Sequence, residues 1–452
     1  MAEDVDVVVI GLGPGGEAVA GEVAEVGLDV VGIDAHLVGG ECPYYGCVPT
    51  KMMIRAANAV AEARRVSGLA GQAQVAPDFT PVAARIRAEA TDDWNDQVAV
   101  DRFTGKGGRF VRGRARLTGL RTVTVNGTVF TARRAIVLNP GTEPAIPPIR
   151  GLADTPYWTN REAIAVTEAP ESLIVLGGGA VGLELAQAFA RFGTHVTVVE
   201  AAPRLAPMEE PEAGELLARV LRDEGLDVHV AAHVGAVAHA DDTFTVDLDD
   251  RQLRAQRLLV ATGRRTDLTA LGVDALGLDA SARFLNPDER MRIAEGVYAI
   301  GDVTGKGAFT HISMYQAAIA TRDILGQPGA AAADYRAVPR VTFTDPEIGA
   351  VGLTEAQARE QGIPVRVGFA ELPSSARGWI HQTGNHGFIK LIADADRGIL
   401  VGATSAGPTG GEVLSALVLA VHARVPVDTL RQMIYAYPTF HRAIEDALNH
   451  LR

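Results

Sequence analysis

The feature that most restricts how this chain can fold is a unit that occurs twice. Asp6–Ile10 reads DVVVI, a short apolar strand. Gly11-Leu12-Gly13-Pro14-Gly15-Gly16 follows, then an Ala/Val-rich helical stretch from Glu17 to Val26, then a second strand, Asp29–Ile33, that ends in Asp34. The same order returns at Ser172–Leu176, Gly177-Gly178-Gly179-Ala180-Val181-Gly182, a helix through Phe192, and a strand His195–Val199 that ends in Glu200. In both copies the acid lies 18 residues beyond the last glycine.

Each copy is a strand–GxGxxG–helix–strand–acid arrangement. The first glycine permits a tight turn, the second lets backbone amides approach a pyrophosphate, and the third lets the helix pack close to the sheet. The pyrophosphate then sits on the positive end of the helix, and the acid accepts hydrogen bonds from a ribose diol. A single GxGxxG is a weak signal. Two copies with equal spacing predict two dinucleotide sites, one on Gly11, Gly13, Gly15, Gly16 and Asp34, the other on Gly177, Gly179, Gly182 and Glu200. The alternative is two glycine-rich loops that merely look alike.

Further punctuation divides the chain. Pro140-Gly141 and Pro144–Gly151 form a proline-rich crossover before the second unit, and a strand Arg257–Val260 runs into Ala261-Thr262-Gly263-Arg264-Arg265. Gly326–Asp334 reads as a linker. Beyond it, Val341–Phe343, Val365–Phe369, Gly387–Ala393 and Ile399–Thr404 are predicted strands of a sheet, covered by helices Glu412–Ala423 and Val427–Ile434. A length of 452 residues suits about three domains.

The charge balance, 42 basic against 55 acidic residues, argues against nucleic-acid and anionic-membrane partners. No run reaches the ~18–20 apolar residues needed to span a bilayer. Met1–Asp6 carries three acids and no base, so it does not read as a signal peptide, and the expected compartment is the cytoplasm. No metal site is expected.

The chain has two cysteines, Cys42 and Cys47. A secreted disulfide scaffold would use more, spread along the chain. A cytosolic disulfide is usually catalytic or redox-sensing. Four intervening residues at one helical turn would bring the two sulfurs together, and Gly46 allows a sharp bend beside the second. Pro49 sits just inside the start of the next helix, where its missing N–H costs nothing. A helix N-terminus lowers a nearby thiol's pKa, and Lys51 adds positive charge. The alternative is two unlinked buried thiols.

Residues Gly39–Lys51 read GGECPYYGCVPTK. This segment resembles the signature of the FAD-dependent pyridine nucleotide–disulfide oxidoreductases, such as lipoamide dehydrogenase, glutathione reductase and mercuric reductase. The resemblance runs the length of the chain. Val297–Asp302 (VYAIGD) resembles the second FAD motif, Gly263-Arg264 the strand end that closes the NAD domain, Phe343–Glu355 the start of the dimerisation domain, and Tyr437-Pro438-Thr439 its C-terminal active-site turn. The implied fold is α/β: two Rossmann-like dinucleotide-binding domains, for FAD and NAD, and a C-terminal α+β dimerisation domain. The implied divisions are an FAD domain over 1–147 and 268–335, an NAD domain over 148–267 and a dimerisation domain over 336–452.

The resemblance also implies roles. Cys47 is the sulfur facing the flavin and Cys42 the interchange thiol that attacks substrate. Lys51 lies near the flavin with Glu184 as its ion-pair partner, although a solvated lysine and a helix-surface charge are the plainer readings. Gly40, Glu41, Gly141 and Gly301 join the flavin site, and Asp302 binds the ribityl chain. Gly263 joins the nicotinamide site. Glu200 favours NAD over NADP, because a carboxylate binds a 2′-hydroxyl and repels a 2′-phosphate. Glu41 replaces the usual threonine and either opposes thiolate formation or points to solvent. A homodimer is implied, since the C-terminal turn is supplied in trans.

One departure stands out. Disulfide-reducing members carry His-Pro-Thr-x-x-Glu at that turn, and here Tyr437 and Arg442 occupy the histidine and glutamate positions. A positioned histidine base contributes about 10²–10⁴-fold, whereas a phenol ordinarily keeps its proton at neutral pH. Oxidation of a thiol substrate should therefore be slow, while reduction of an acceptor that needs a proton remains feasible. His441 and Glu445, four apart, form either a displaced dyad or a surface pair. The expected activity is transfer of electrons from NADH through FAD and the dithiol to a small-molecule or disulfide acceptor. The alternatives are direct flavin reduction of a quinone, metal ion, nicotinamide or specialised metabolite, with Tyr437 shaping the pocket, and a non-enzymatic redox sensor.

Overall fold

The structure is a computed structural model that describes residues 2–328 and 332–452. Of the linker expected over Gly326–Asp334, residues 329–331 lie outside the described part. The chain forms two compact units. The first comprises the segment up to Pro49, Ala84–Ala145 and Arg264–Asp334, and the second comprises Thr50–Ala83, Ile146–Gly263 and Tyr335–Arg452.

The first unit is built on a sheet whose five parallel strands run in the order Val297–Ala299, Thr128–Leu138, Ala2–Ile10, Val30–Asp34 and Arg109–Arg112. Val7, Val8, Val9 and Ile10 are all buried, so both faces of the central strand are covered. This is why the strand reads as a continuous apolar run rather than an alternating one. Val8 and Ile10 pack with Ile33, Ile136 and Leu138 on one face. Val7 and Val9 pack on the other face with Val19 and Val23 of the helix Pro14–Glu25. An antiparallel hairpin, Arg116–Gly119 with Thr122–Val125, extends the sheet and was not legible from periodicity.

The second unit holds two sheets that matter for function. One is parallel, in the order Asp227–His229, His195–Val199, Ser172–Leu176 and Arg257–Val260. The other is antiparallel, in the order Pro339–Thr342, Glu347–Gly352, Ile399–Gly407, Phe388–Asp394 and Val365–Glu371. Helices Gly410–His422 and Ala443–Asn449 share its apolar core. The α/β class with a C-terminal α+β portion is thus as expected. Two local expectations change. Glu347–Gly352 is a strand that Gly349 and Gly352 hid from pattern reading. The helix expected over Val427–Ile434 stops at Arg431, where Tyr435 folds back and its hydroxyl donates to the Leu430 carbonyl at 3.0 Å. No helix among the described residues is long and apolar enough to cross a membrane.

A buried ion cluster ties distant segments of the second unit together. Arg191, 2% exposed, pairs with Asp345 at 2.8 Å and with Glu224 at 2.6 Å, and Arg65 reaches the same Asp345 oxygen at 2.7 Å. Burial alone would raise the Asp345 pKa, but the Arg191 and Arg65 guanidiniums outweigh it and hold the carboxyl below its ordinary 3.8. A depressed folded-state pKa means that stability is present above the unfolded value and lost as pH falls through the folded one. Replacing Asp345→Asn leaves Arg191 with Glu224 and Arg65 with Glu62, and the loss of the shared carboxylate is expected to cost about 1.5–3 kcal/mol at neutral pH. Chemical denaturation should show that deficit, and the difference from the parent should shrink as pH falls below about 4.

Candidate active site

The cysteine loop lies in the first unit. Cys42 is the second residue of a short helix, Glu41–Tyr44, and Cys47 is the first residue of a long one, Cys47–Arg65. The pair does not lie on one helical turn, as the spacing suggested. The two helices break at Tyr45-Gly46, and a Cβ at Gly46 would stand 3.1 Å from the Glu41 carbonyl oxygen and 3.6 Å from the Cys42 Cα. The break brings the second cysteine near the first, and only a residue without a side chain fits comfortably inside it. Cys42 is half-buried and Cys47 exposed.

Two helix N-termini converge on Cys47. It opens its own helix, and its Sγ lies 3.6 Å from the Oγ1 of Thr310, the first residue of the helix Thr310–Ile324. The partial positive charge at each terminus stabilises a thiolate. Glu41 neither faces the thiol unopposed nor sits fully in solvent: its carboxylate is 3.9 Å from the Arg264 guanidinium and is 27% exposed.

The glycine turn of the first unit supplies the flavin cradle. Gly11 has φ +89°, and a side chain there would collide with the Asn139 carbonyl. Gly13 precedes the helix Pro14–Glu25 with no side-chain cap, which leaves the first helical amides to an anion. Gly15 packs on Ser313, Gly16 on the Gly11 carbonyl, and a Cβ at Gly40 would stand 2.9 Å from the Gly13 Cα. Asp34 Oδ2 accepts from the Leu12 amide at 2.7 Å and Oδ1 from the His36 amide at 2.7 Å. Burial raises its pKa. Each oxygen retains a lone pair for a ribose hydroxyl.

At the other end, Asp302 Oδ2 accepts from the Thr142 hydroxyl at 2.7 Å, and the Arg264 Nε donates to that hydroxyl at 2.7 Å. Burial raises the Asp302 pKa, against the pull of the Thr142 hydrogen bond. Gly141 and Gly301 flank these residues in sequence. The Gly301 amide donates to the fully buried Gln316 at 2.6 Å. Pattern reading missed Asn139, Thr142, Ser313 and Gln316. The three-residue spacing of Ser313 and Gln316 on an otherwise apolar helical stretch was the available signal. A bare glycine turn, an open helix terminus and two carboxylates placed for hydroxyl groups together suit FAD.

The second unit repeats the design. Gly179 precedes the uncapped helix Ala180–Arg191, a side chain at Gly182 would strike the Gly177 carbonyl, and Gly263 lies three residues beyond the neighbouring strand Arg257–Val260 with φ +122°. Glu200 accepts from the Gly178 amide and the Ala202 amide, each at 2.6 Å. This is the same pair of bonds that Asp34 makes to Leu12 and His36. The same unit contains Lys51, whose Nζ donates to Glu184 Oε2 at 2.7 Å and stands 4.7 Å above the Phe343 ring. Glu184 is buried and also accepts from the Phe343 amide at 2.8 Å.

At the C-terminal turn, Tyr437 is 68% exposed and the Arg442 guanidinium lies 5.3 Å from its ring. His441 and Glu445 form no dyad in this chain. Glu445 pairs with Arg442 at 3.1 Å, and the His441 ring lies against Tyr435 at 5.1 Å. His441 precedes the helix Ala443–Asn449, so helical spacing never applied. Among the described residues, no group of three or more metal-ligating side chains is suited to a metal.

Comparison with known proteins agrees with this geometry. Residues 5–321 match the family described as pyridine nucleotide-disulphide oxidoreductase, and residues 338–448 match its dimerisation domain. The mercuric reductase of Acidithiobacillus ferrooxidans is 35% identical over 97% of this chain and 81% of its own length. The dihydrolipoyl dehydrogenase of Halobacterium salinarum is 33% identical over 98% of this chain and 96% of its own. Among solved structures, a Cu(II) complex of a cysteine-to-serine variant of RclA, an HOCl-induced flavoprotein disulfide reductase from Escherichia coli, superposes with a TM-score of 0.87 at 27% identity, covering 100% of both chains. LpdA from Mycobacterium tuberculosis gives 0.85 at 26% identity, over 98% of this chain and 99% of its own. The chain belongs to the pyridine nucleotide-disulphide oxidoreductases, the FAD-dependent enzymes that use NAD(P)H.

The contact between Cys47 and Thr310 generates a test of the thiolate's environment. Thr310→Val removes the hydroxyl and leaves the helix termini. The Cys47 thiol pKa, followed by thiolate absorbance in a Cys42→Ser background, is expected to rise by roughly one unit, the worth of one hydrogen bond to a charged group.

Proposed function

We propose that this protein is a homodimeric, NADH-dependent flavoprotein reductase of the cytoplasm that uses Cys42 and Cys47 as a redox couple. The observation that carries the reading is Cys47 at the meeting of two helix N-termini, beside a glycine cradle that fits FAD. When bound, FAD would take a hydride from the nicotinamide and supply the electron pair that opens the disulfide. In this reading Gly11, Gly13, Gly15, Gly16, Gly40 and Gly141 hold the flavin's phosphates and approach its backbone. Asp34 holds the ribose hydroxyls, and Asp302 with Gly301 the ribityl chain. Lys51, fixed by Glu184, orients the ring. Cys47 stays as the stabilised thiolate and Cys42 faces the acceptor. The Tyr437 phenol, supplied by the second subunit, donates a hydrogen bond there.

The NADH preference is supported by the second glycine unit. Glu200 is held towards the turn by two amides, where it meets a 2′-hydroxyl and repels a 2′-phosphate. Arg204, the nearest following cation in sequence, donates to the carbonyls of Pro207 and Glu209, both at 2.9 Å, and is engaged within its own loop. Gly177, Gly179, Gly182 and Gly263 complete that site. Anaerobic titration tests the whole reading. Two electrons from NADH should produce a long-wavelength absorbance band that Cys47→Ser abolishes, and kcat/KM for NADH should exceed that for NADPH by at least about tenfold, one charge-assisted hydrogen bond's worth. A colourless protein that takes up no FAD would refute it.

A second reading concerns the acceptor. Tyr437 and Arg442 stand where disulfide-reducing members place a histidine and a glutamate, which favours an acceptor that does not return a proton to a base. A metal ion is one such acceptor, and metals appear in the names of the mercuric reductases and of the RclA complex. Full turnover by a Cys42→Ser variant would place reduction at the flavin rather than the dithiol.

The dimer is supported by large apolar side chains left exposed in the dimerisation region: Ile434 at 96%, Trp379 at 77% and Leu419 at 63%. Exposed apolar side chains of this size within a segment that matches a dimerisation domain suit a subunit interface. Light scattering should give twice the chain mass, and Ile434→Asp should shift the species towards monomer.

A further inference from the structure

The least regular backbone of the first unit follows the helix Thr80–Arg85. The chain widens into a π-turn over Ile86–Ala90, where the Thr91 amide reaches back to the Ile86 carbonyl at 3.0 Å. Three successive residues then take left-handed conformations: Asp92 at φ +48°, Asp93 at +52° and Trp94 at +57°. Aspartate tolerates this region, but a bulky ring is an outlier there. Arg87 braces the turn. Its Nη1 donates to Asp93 at 2.6 Å, and its guanidinium carbon stands 5.3 Å from the indole centre. Such combinations persist where the surroundings over-determine them, and they cluster at functional sites.

The turn delivers its side chains to the cysteine loop at two places. Trp94 stacks on Tyr45, with ring centres 6.3 Å apart and planes inclined by 24°. Tyr45 lies between the two cysteines. The indole N–H is buried and meets no acceptor among the described residues, so this ring is not placed by its own polar atom. Two residues on, the buried Asp96 accepts from the Val38 amide at 2.7 Å and is itself held by Arg112. Val38 leads directly into Gly39-Gly40 and Cys42. One bent segment therefore grips the loop before the first cysteine and again between the two.

We propose that Trp94 is a positioning residue: stacked on Tyr45, it holds the Cys42–Cys47 loop in the geometry that closes the disulfide, and so sets the dithiol–disulfide equilibrium. The inference rests on the reading of this pair as a redox couple. Closure depends on the effective concentration of one thiol at the other, and a loop fixed from outside keeps that concentration high. Without the stack, Tyr45 loses its ring contact with the bent turn, and the open dithiol gains conformational freedom.

The experiment uses the FAD-loaded full chain, equilibrated without oxygen in mixtures of reduced and oxidised dithiothreitol. The protein's S–S bond breaks and its two sulfurs take up two electrons, with one proton going to Cys42 while Cys47 stays a thiolate. Dithiothreitol gives up two electrons and two protons, the second proton passing to the buffer, and closes to its cyclic disulfide. Because the chain holds two cysteines, alkylation and mass measurement read the couple directly. Trp94→Ala is expected to shift the equilibrium about tenfold towards the dithiol, about 30 mV for a two-electron couple. Trp94→Phe, which keeps a ring, should stay within about twofold of the parent. Tyr45→Leu should reproduce the shift of Trp94→Ala, and the double variant should add nothing beyond either. Unchanged equilibria in both single variants, or shifts that add, overturn the proposal. If Trp94→Ala does not fold, Tyr45→Leu alone decides by the same criterion. A parent protein that shows two thiols at every mixture sinks the redox-couple reading and this inference with it.

Discussion

The hydrogen bond from a glycine-turn amide to a carboxylate 22 residues later is the constraint on which both nucleotide cradles depend. Asp34 takes the Leu12 amide and Glu200 takes the Gly178 amide, at 2.7 and 2.6 Å. Each bond does two things at once. It satisfies a donor that a tight turn would otherwise leave unpaired, and it points a carboxylate to where a ribose lies when a pyrophosphate rests on the adjoining helix. The turn and its acid cannot be moved independently, which is why the spacing is equal in the two copies.

The cysteine chemistry is hung on that frame. A Cβ at Gly40 would stand only 2.9 Å from the Gly13 Cα, so the loop that carries Cys42 is packed on the glycine turn itself. Thr310, beside Cys47, opens a helix whose Ser313 packs on Gly15 and whose Gln316 holds the Gly301 amide. The same helix therefore supports the cradle and places a positive terminus at the thiol. Buried polar groups of this kind stay where they are because each is costly to leave unsatisfied.

In the second unit, buried charge does the corresponding work. Arg191 and Arg65 converge on Asp345. Lys390, 3% exposed, is met by Glu210, Glu212 and Glu355, and Arg340 makes paired bonds to Glu209. These clusters join helices next to the second glycine turn to strands of the antiparallel sheet. Removing one partner leaves charge less well compensated in a poor solvent for it.

By itself, the order of residues determined the two nucleotide units, the cysteine segment, the α/β class and the departures at Tyr437 and Arg442. These signals are local: a strand, a turn, a helix and an acid lie within about 30 residues of each other, a range at which periodicity and glycine placement are informative. Tertiary structure alone decided that the cysteines straddle a break between two helices, that Glu41 lies beside Arg264, and that His441 and Glu445 part company. It also brought Thr310 to Cys47 and Trp94 to Tyr45, across 263 and 49 residues of sequence. Such contacts join residues whose neighbours in sequence say nothing of each other. Their positions follow from how sheets and helices close-pack, and no spacing rule carries that information.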